Sequence, residues 1–202
     1  PGDFAEINGM NHVPNPADFP LRGERVHLRP LTGADATATY VDWLNDPETT
    51  RYLESGRRVE TIDSIREYIG KYENRLDALF LAIVMNDGDV HVGNIKLDRI
   101  DWTHRHATLG IMIGAAEARG KGIGGEAIVL TLRHAFHTMK LHRVDLGVTQ
   151  DNLPGIKCYK KIGFVEEGRL RESTLREHGF IDVVWMSVLS HEFDARYPGI
   201  SN

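Results

Sequence analysis

The chain has 202 residues, 41% of them apolar and 26% charged, which suits an ordinary globular protein with one sizeable core. Its net charge of −5 supplies no cationic footprint for a phosphate backbone, so no nucleic-acid partner is expected. No apolar run reaches the roughly 18–20 residues that span a bilayer, no charged-then-apolar leader opens the sequence, and the lone Cys158 cannot form an internal disulfide and has no zinc-type spacing around it. The expectation is a cytoplasmic protein with no membrane or metal partner and an inert, buried cysteine.

Residues 1–20 hold four prolines, two glycines and three asparagines without periodicity and read as a loose arm, followed by a single domain over 21–202. Arg25–Leu31 alternates at period two, a first strand. Thr32 and Asp35 have capping-box spacing, and Ala36, Tyr40, Trp43 and Leu44 share the face of a helix ended by Asn45-Asp46-Pro47. Thr61 can cap a second helix with Ile62, Ile65, Ile69 and Tyr72 on one side. Leu79–Met85 is a short apolar strand, Asn86–Asp89 a hairpin turn, and Val90–Ile100 a strand in which Gly93 suggests a bulge. A second hairpin over Asp101–His106 leads to the strand Ala107–Ile113. Beyond a glycine-rich loop, Ile128, Leu132, Ala135, Phe136 and Met139 form the stripe of the longest helix. Arg143–Val148 reads as a strand, Asn152–Lys161 as a helix, a polar stretch follows, and Phe180–Leu189 closes the chain. The order predicts a mixed α/β (α+β) fold: a central, mostly antiparallel twisted sheet of six to seven strands flanked by about four helices.

Arg119-Gly120-Lys121-Gly122-Ile123-Gly124-Gly125 lies between a strand and a long helix, where backbone N–H groups and the positive end of a helix dipole can hold phosphate oxygens. It is not a P-loop, because no glycine stands five residues before Gly120 and Gly122 follows Lys121 where Ser or Thr is required. Gly122-x-Gly124-x-x-Ala127, with Asp145 further on, matches the relaxed dinucleotide fingerprint, which would imply an NAD-dependent oxidoreductase. Context speaks against it: residues 114–121 separate the strand from the first glycine, and hairpins precede it where a parallel unit is needed.

The same loop resembles the pyrophosphate loop of the GNAT superfamily, Arg/Gln-x-x-Gly-x-Gly/Ala, in Arg119-x-x-Gly122-x-Gly124. A second signature agrees: Asn152 is followed seven residues later by Tyr159 and then by Gly163-Phe164. The likeness extends roughly from Val26 to Phe193. Trp43-Leu44-Asn45-Asp46-Pro47-Glu48, Leu141-His142-Arg143-Val144 and Gly163-Phe164-Val165-Glu166-Glu167-Gly168 are similar to the ribosomal-protein N-terminal, spermidine and amino-sugar acetyltransferases.

The resemblance implies a GNAT fold and N-acetyl transfer from acetyl-CoA, without a metal, to a primary amine of a small molecule (an amino sugar or polyamine) or to a protein N-terminus. It places Ile111, Met112 and Ile113 along the pantetheine arm, Arg119, Gly120, Lys121, Gly122, Ile123 and Gly124 at the pyrophosphate, an amide near Met112 at the oxyanion, and Asn152 at CoA or the helix start. Tyr159 becomes the general acid that protonates the departing thiolate. Many relatives read Ala-Glu-Leu-Gly where this chain has Ala107-Thr108-Leu109-Gly110, so the usual carboxylate base is missing; Asp98, His106 or Thr108 is left to serve, or an acceptor amine of lower pKa that needs less help. The departure also opens the alternative of a catalytically silent acyl-CoA sensor. Glu166-Glu167 and the Glu172/Glu177 pair could draw a cationic acceptor or form a solvated surface, and Trp43-Leu44 and Trp102 could wall the acceptor groove or pack in the core. Closing strands in such folds often pair across a homodimer.

Overall fold

The computed structural model describes residues 15–53, 59–73, 75–176 and 178–199; residues 1–14 of the expected arm, and Glu177, lie outside the described residues. Eight strands, β1 (Leu21–Arg22), β2 (Val26–Pro30), β3 (Leu79–Met85), β4 (His91–Asp101), β5 (His106–Ile113), β6 (Arg143–Thr149), β7 (Val165–Arg176) and β8 (Gly179–Leu189), form one sheet in the order β1-β2-β3-β4-β5-β6-β8-β7. Every neighbouring pair is antiparallel except β5 and β6. The six described helices are α1 (Ala38–Asn45), α2 (Pro47–Thr50), α3 (Ile62–Gly70), α4 (Ile123–Arg133), α5 (Leu153–Ile162) and α6 (Ser190–Arg196).

The counts exceed the expectation of six to seven strands and about four helices for local reasons. The strand β1 has only two residues, too short for any periodicity, and exists because Leu21 and Arg22 pair with Leu28 and His27. Most of β7 is exposed, so it lacks the apolar alternation that betrays a half-buried strand and reads as polar loop. Helix α2 is a single turn started by the Asp46 carboxylate, which accepts from the amides of Glu48 and Thr49, and α6 buries chiefly Phe193.

The Thr32/Asp35 box is real but caps a 3-10 turn at Gly33–Asp35. Asp35 accepts from the Thr32 amide at 2.8 Å and takes both guanidinium nitrogens of Arg29 at 2.6 and 2.9 Å. Helix α1 therefore starts later, where Thr37 accepts from the Tyr40 amide. The Thr61 cap holds as expected, with Ser64 returning the hydrogen bond, and Ile65 and Ile69 of α3 are buried.

Two faces of the sheet are covered. Tyr68 of α3 and Tyr72 in the turn just beyond it pack on Phe80 and beneath Lys96, which puts α3 on one face. On the other, Gly124 of α4 sits against Ile111 and Ile113 of β5, α5 approaches α4 at Gly125 and Cys158, and Phe193 of α6 meets Phe136 just beyond α4. Leu28, Leu81, Ile83, Ile95, Leu97, Ile128, Leu132 and Leu146 are essentially inaccessible, and each such side chain contributes about 1.5–3 kcal/mol of burial.

The register slips between β3 and β4, where Ile83 faces Gly93 but Val84 faces His91, so the chain bulges at Val92 as the glycine implied. A Cβ on Gly93 would lie 2.3 Å from the Met112 carbonyl oxygen, a backbone atom that cannot move alone. Gly93→Ala should therefore destabilise the fold by about 2–4 kcal/mol, read as a lower denaturation midpoint with an unchanged m-value.

Candidate active site

Among the described residues the one parallel pair in the sheet is short: His106, Ala107 and Thr108 of β5 face Arg143, Val144 and Asp145 of β6, and there the pairing ends. Beyond it, β5 stays bonded to β4 as far as Ile113, and β6 stays bonded to β8 as far as Thr149. The strands fork, and among the described residues Leu109–Ile113 has no sheet partner on its β6 side. Alternation turns Ile111 and Ile113 toward α4 and Thr108, Gly110 and Met112 toward the face bearing Lys96 and α3.

The loop after β5 leads to the start of α4. Gly120 and Gly122 have φ of +71° and +80°, which a glycine adopts without strain, and no atom lies within 4 Å of a Cβ placed on Gly120. Among the described residues the amides of Gly120, Lys121 and Gly122 make no backbone hydrogen bond, while Ile123 anchors the helix in the core. Free amides, a positive dipole end and an open approach fit the diphosphate of a CoA group.

Distant residues brace this loop. Arg25 donates through Nη1 to the Lys121 carbonyl at 2.6 Å and through Nε to Glu126 at 2.8 Å, and Glu126 also accepts from the Arg25 amide. Arg119, which the family motif aligns with the pyrophosphate, spends its guanidinium on the carbonyls of Ile113 and Gly114 and on the Thr49 hydroxyl. It thereby ties the end of β5 to α2 and shapes the loop from behind.

Asn152 caps α5: its Oδ1 accepts from the Gly155 amide at 3.0 Å. Two turns on, Tyr159 is half-buried, edge-on to Phe164, and next in sequence to Cys158, whose sulfur is 3.8 Å from a Cβ placed on Gly125 of α4. Burial pushes the Tyr159 hydroxyl up to about 12 and also raises the half-buried Cys158 thiol. Tyr159 thus stays protonated at neutral pH, and Cys158 stays a thiol, although it is half-buried and not fully buried as expected.

Around the fork the three residues considered as bases differ. Asp98, opposite Thr108 on β4, accepts from Tyr72, Lys96, Arg75 and its neighbour's amide. Burial acts to raise its carboxyl, but the Lys96 ammonium, the Arg99 amide and the Tyr72 hydroxyl together hold it below the ordinary range, which makes it a weak base. His106 shares the Thr108 face; its Nε2 is 3.8 Å from Asp101, and its Nδ1 is buried without a protein partner. Thr108 donates to the buried Asp145 of β6 at 2.9 Å. Sequence reading weighed Asp145 only for a dinucleotide. The parallel register sets it beside Thr108, a relation that no spacing within the sequence encodes.

The acidic stretch resolves into ion pairs. Glu167 takes both Nη atoms of Arg143 at 2.6 Å and the Ser187 hydroxyl, and Glu166 pairs with Lys160 and Arg169. Trp43 is buried against Gly114, and Trp102 donates to the Leu76 carbonyl while packing on the core, so both act mainly in packing. Among the described residues there is no cluster suited to a metal ion and no helix long and apolar enough to cross a membrane.

Residues 25–165 match the family described as Acetyltransferase (GNAT) domain. The chain belongs to the GNAT acetyltransferases. It is 29% identical over 178 residues to the spermidine N(1)-acetyltransferase of Escherichia coli K12, covering 86% of this chain and 92% of that one. The spermidine N(1)-acetyltransferase of Vibrio cholerae is 30% identical over 135 residues, 66% of this chain and 76% of the relative. A solved structure of spermidine N-acetyltransferase from Vibrio cholerae in complex with CoA and spermine superposes with a TM-score of 0.77 at 26% identity, covering 85% of this chain and 99% of that one. An uncharacterized N-acetyltransferase, p20, of Bacillus licheniformis is 27% identical over 86% of this chain and 97% of its own.

This GNAT protein is accordingly an acetyl-CoA-dependent N-acetyltransferase. Its loop is not that of a dinucleotide fold, since the strand entering it is antiparallel to the one before.

Glu126 permits a direct check on the brace. Burial tends to raise its carboxyl, but the Arg25 amide and guanidinium and the Val26 amide together override burial and depress it below 4.5. A depressed carboxylate contributes stability that is present above its unfolded pKa and lost as pH falls through the folded one. Glu126→Gln should lower the melting temperature at pH 7, and the gap to wild type should close as the pH falls below about 4.5.

Proposed function

We propose that this GNAT enzyme transfers the acetyl group directly to a primary amine within a ternary complex. The observation that carries the proposal is the fork between β5 and β6. A strand edge whose N–H and C=O groups have lost their neighbour needs a hydrogen-bonding partner, and an extended amide-containing arm laid along Leu109–Ile113 supplies one. In this reading Ile111, Met112 and Ile113 hold the pantetheine arm. Gly120, Lys121, Gly122, Ile123 and Gly124 hold the diphosphate through backbone amides, Arg119 fixes the loop that presents them, and Asn152 positions the start of α5.

The reaction then needs little more than alignment. The neutral amine attacks the thioester carbon, a C–N bond forms, the developing oxyanion takes a hydrogen bond from a β5 amide near Met112, and the C–S bond breaks. The sulfur leaves with the Tyr159 proton. A hydroxyl near 12 is a weaker acid than a thiol near 8.5, so the tyrosinate is short-lived and recovers its proton from the new amide nitrogen, directly or through water. One proton is released per turnover when the amine arrives as its ammonium form.

The missing glutamate bears on which group relieves the amine of its proton. Asp98 is neutralised by Lys96, which leaves the Thr108–Asp145 pair and His106 at the fork. The acceptor is a small amine, an amino sugar or polyamine, or a protein N-terminus; the names of the spermidine acetyltransferases support an amine without identifying it.

Tyr159→Phe removes one oxygen and should lower kcat by about 10²–10⁴-fold with little change in the KM for acetyl-CoA. Thiol release from acetyl-CoA across a panel of amines measures both. An unchanged kcat in the variant would remove Tyr159 from the mechanism. Because Tyr159 stays protonated to about pH 12, a wild-type rate that rises to pH 9 should reflect deprotonation of the acceptor amine.

A further inference from the structure

The acceptor face of the fork is unusual in how its charges are spent. Asp98 is covered by Lys96 and Arg75, while Asp145 and Glu167 are held by Arg143. Lys96 places its own ammonium over the rings of Tyr68 and Tyr72 and 3.2 Å from Asp98. Aromatic faces beside a carboxylate are what a cationic substrate seeks, and here a side chain already fills that place. A polycation finds no free carboxylate among these groups.

Arg99 is the opposite case. It is exposed at the β4 bulge, where Asp98 faces Thr108 but the next pair is Asp101 with His106. Its φ is +52°, a left-handed conformation that glycine holds freely and a long side chain holds under strain. The bulge swings the guanidinium toward β5, where Nη2 donates to Thr108 Oγ1 at 3.3 Å, at the last residue pair before the strands part. Among the described residues no carboxylate pairs with it. An unneutralised guanidinium, placed at the mouth of the fork at a conformational cost, is equipped to grip a planar or tetrahedral anion through two N–H groups.

We propose that Arg99 recognises an anionic group on the acceptor, so that the amine acetylated by this enzyme also carries a phosphate or a carboxylate. This deepens the reading of the site as an amine acetyltransferase and rests on it. Approach from the Thr108 face brings the acceptor amine into the fork opposite α4, with its anion on Arg99 and its ammonium beside the Thr108–Asp145 pair.

Matched acceptors test it with the full chain and acetyl-CoA: glucosamine 6-phosphate against glucosamine for the phosphate, β-alanine against propylamine for the carboxylate, and spermidine. The expected result is a kcat/KM preference for one anionic member of about 10–100-fold over its partner lacking the anion, carried mainly by KM, with spermidine poor. Arg99→Gly should collapse that preference to within about threefold, and Arg99→Lys should restore part of it. Because glycine relaxes the backbone at this φ, the melting temperature of Arg99→Gly should equal or exceed that of wild type, which separates loss of recognition from loss of fold. Equal turnover within both pairs, a preference for spermidine, or a preference that survives Arg99→Gly overturns the proposal. Calorimetric binding of the anionic probes to the CoA-loaded protein separates the two readings. Binding that depends on Arg99 without thiol release from any probe would sink direct amine transfer but leave the anion site, whereas absence of Arg99-dependent binding would sink the anion site.

Discussion

Three residue pairs between β5 and β6 are the constraint on which the active site depends. Parallel pairing at His106–Thr108 welds the two halves of the sheet together, and its abrupt end creates the cleft. Were the pairing to continue, the edge of Leu109–Ile113 would be satisfied and nothing could be laid along it. Were it absent, β1–β5 and β6–β8 would be separate sheets. Each strand is committed elsewhere beyond the weld, β5 to β4 and β6 to β8, so the fork cannot close by sliding. Gly124 of α4 packs against Ile111 and Ile113 on one wall, which sets the start of that helix beside the open edge.

The second organising feature is charge pairing across elements far apart in sequence. Arg25, just before β2, and Glu126 of α4 join those elements beneath the glycine loop, and Arg119 joins that loop to the single turn of α2. Arg143 gathers Asp145 and Glu167 from β6 and β7. Partly buried pairs of this kind add modest net stability but fix orientation, because leaving either partner alone is costly. Their common effect is to tie loops together around the fork while neutralising most of its carboxylates. Thr108 belongs to the same pattern: its hydroxyl is tied to a carboxylate one strand over, Asp145 of β6.

Periodicity and turn chemistry carried most of the fold into the sequence. The Thr61 cap, the β3 and β4 strands, the bulge at Gly93, the hairpin before His106 and the Asn152 cap are all local, governed by residues within four or five positions of one another. The elements that escaped are those whose existence is not local. The two residues of β1 are a strand only because β2 lies beside them, the exposed β7 shows no apolar alternation, and the Thr32/Asp35 box was diverted into a 3-10 turn when Arg29 engaged Asp35.

The sequence by itself determined the class of chemistry, because the glycine loop Arg119–Gly124 and the Asn152/Tyr159/Gly163 spacing are short-range features whose backbone requirements are written in residue type. Only the tertiary structure decided the surroundings of the fork. The fork, the Thr108–Asp145 contact, the masking of Asp98 by Lys96 and the swing of Arg99 onto Thr108 all arise where strands meet in a particular register. A one-residue shift of that register would face each side chain the other way, and sequence spacing alone does not set the pairing of strands more than thirty residues apart.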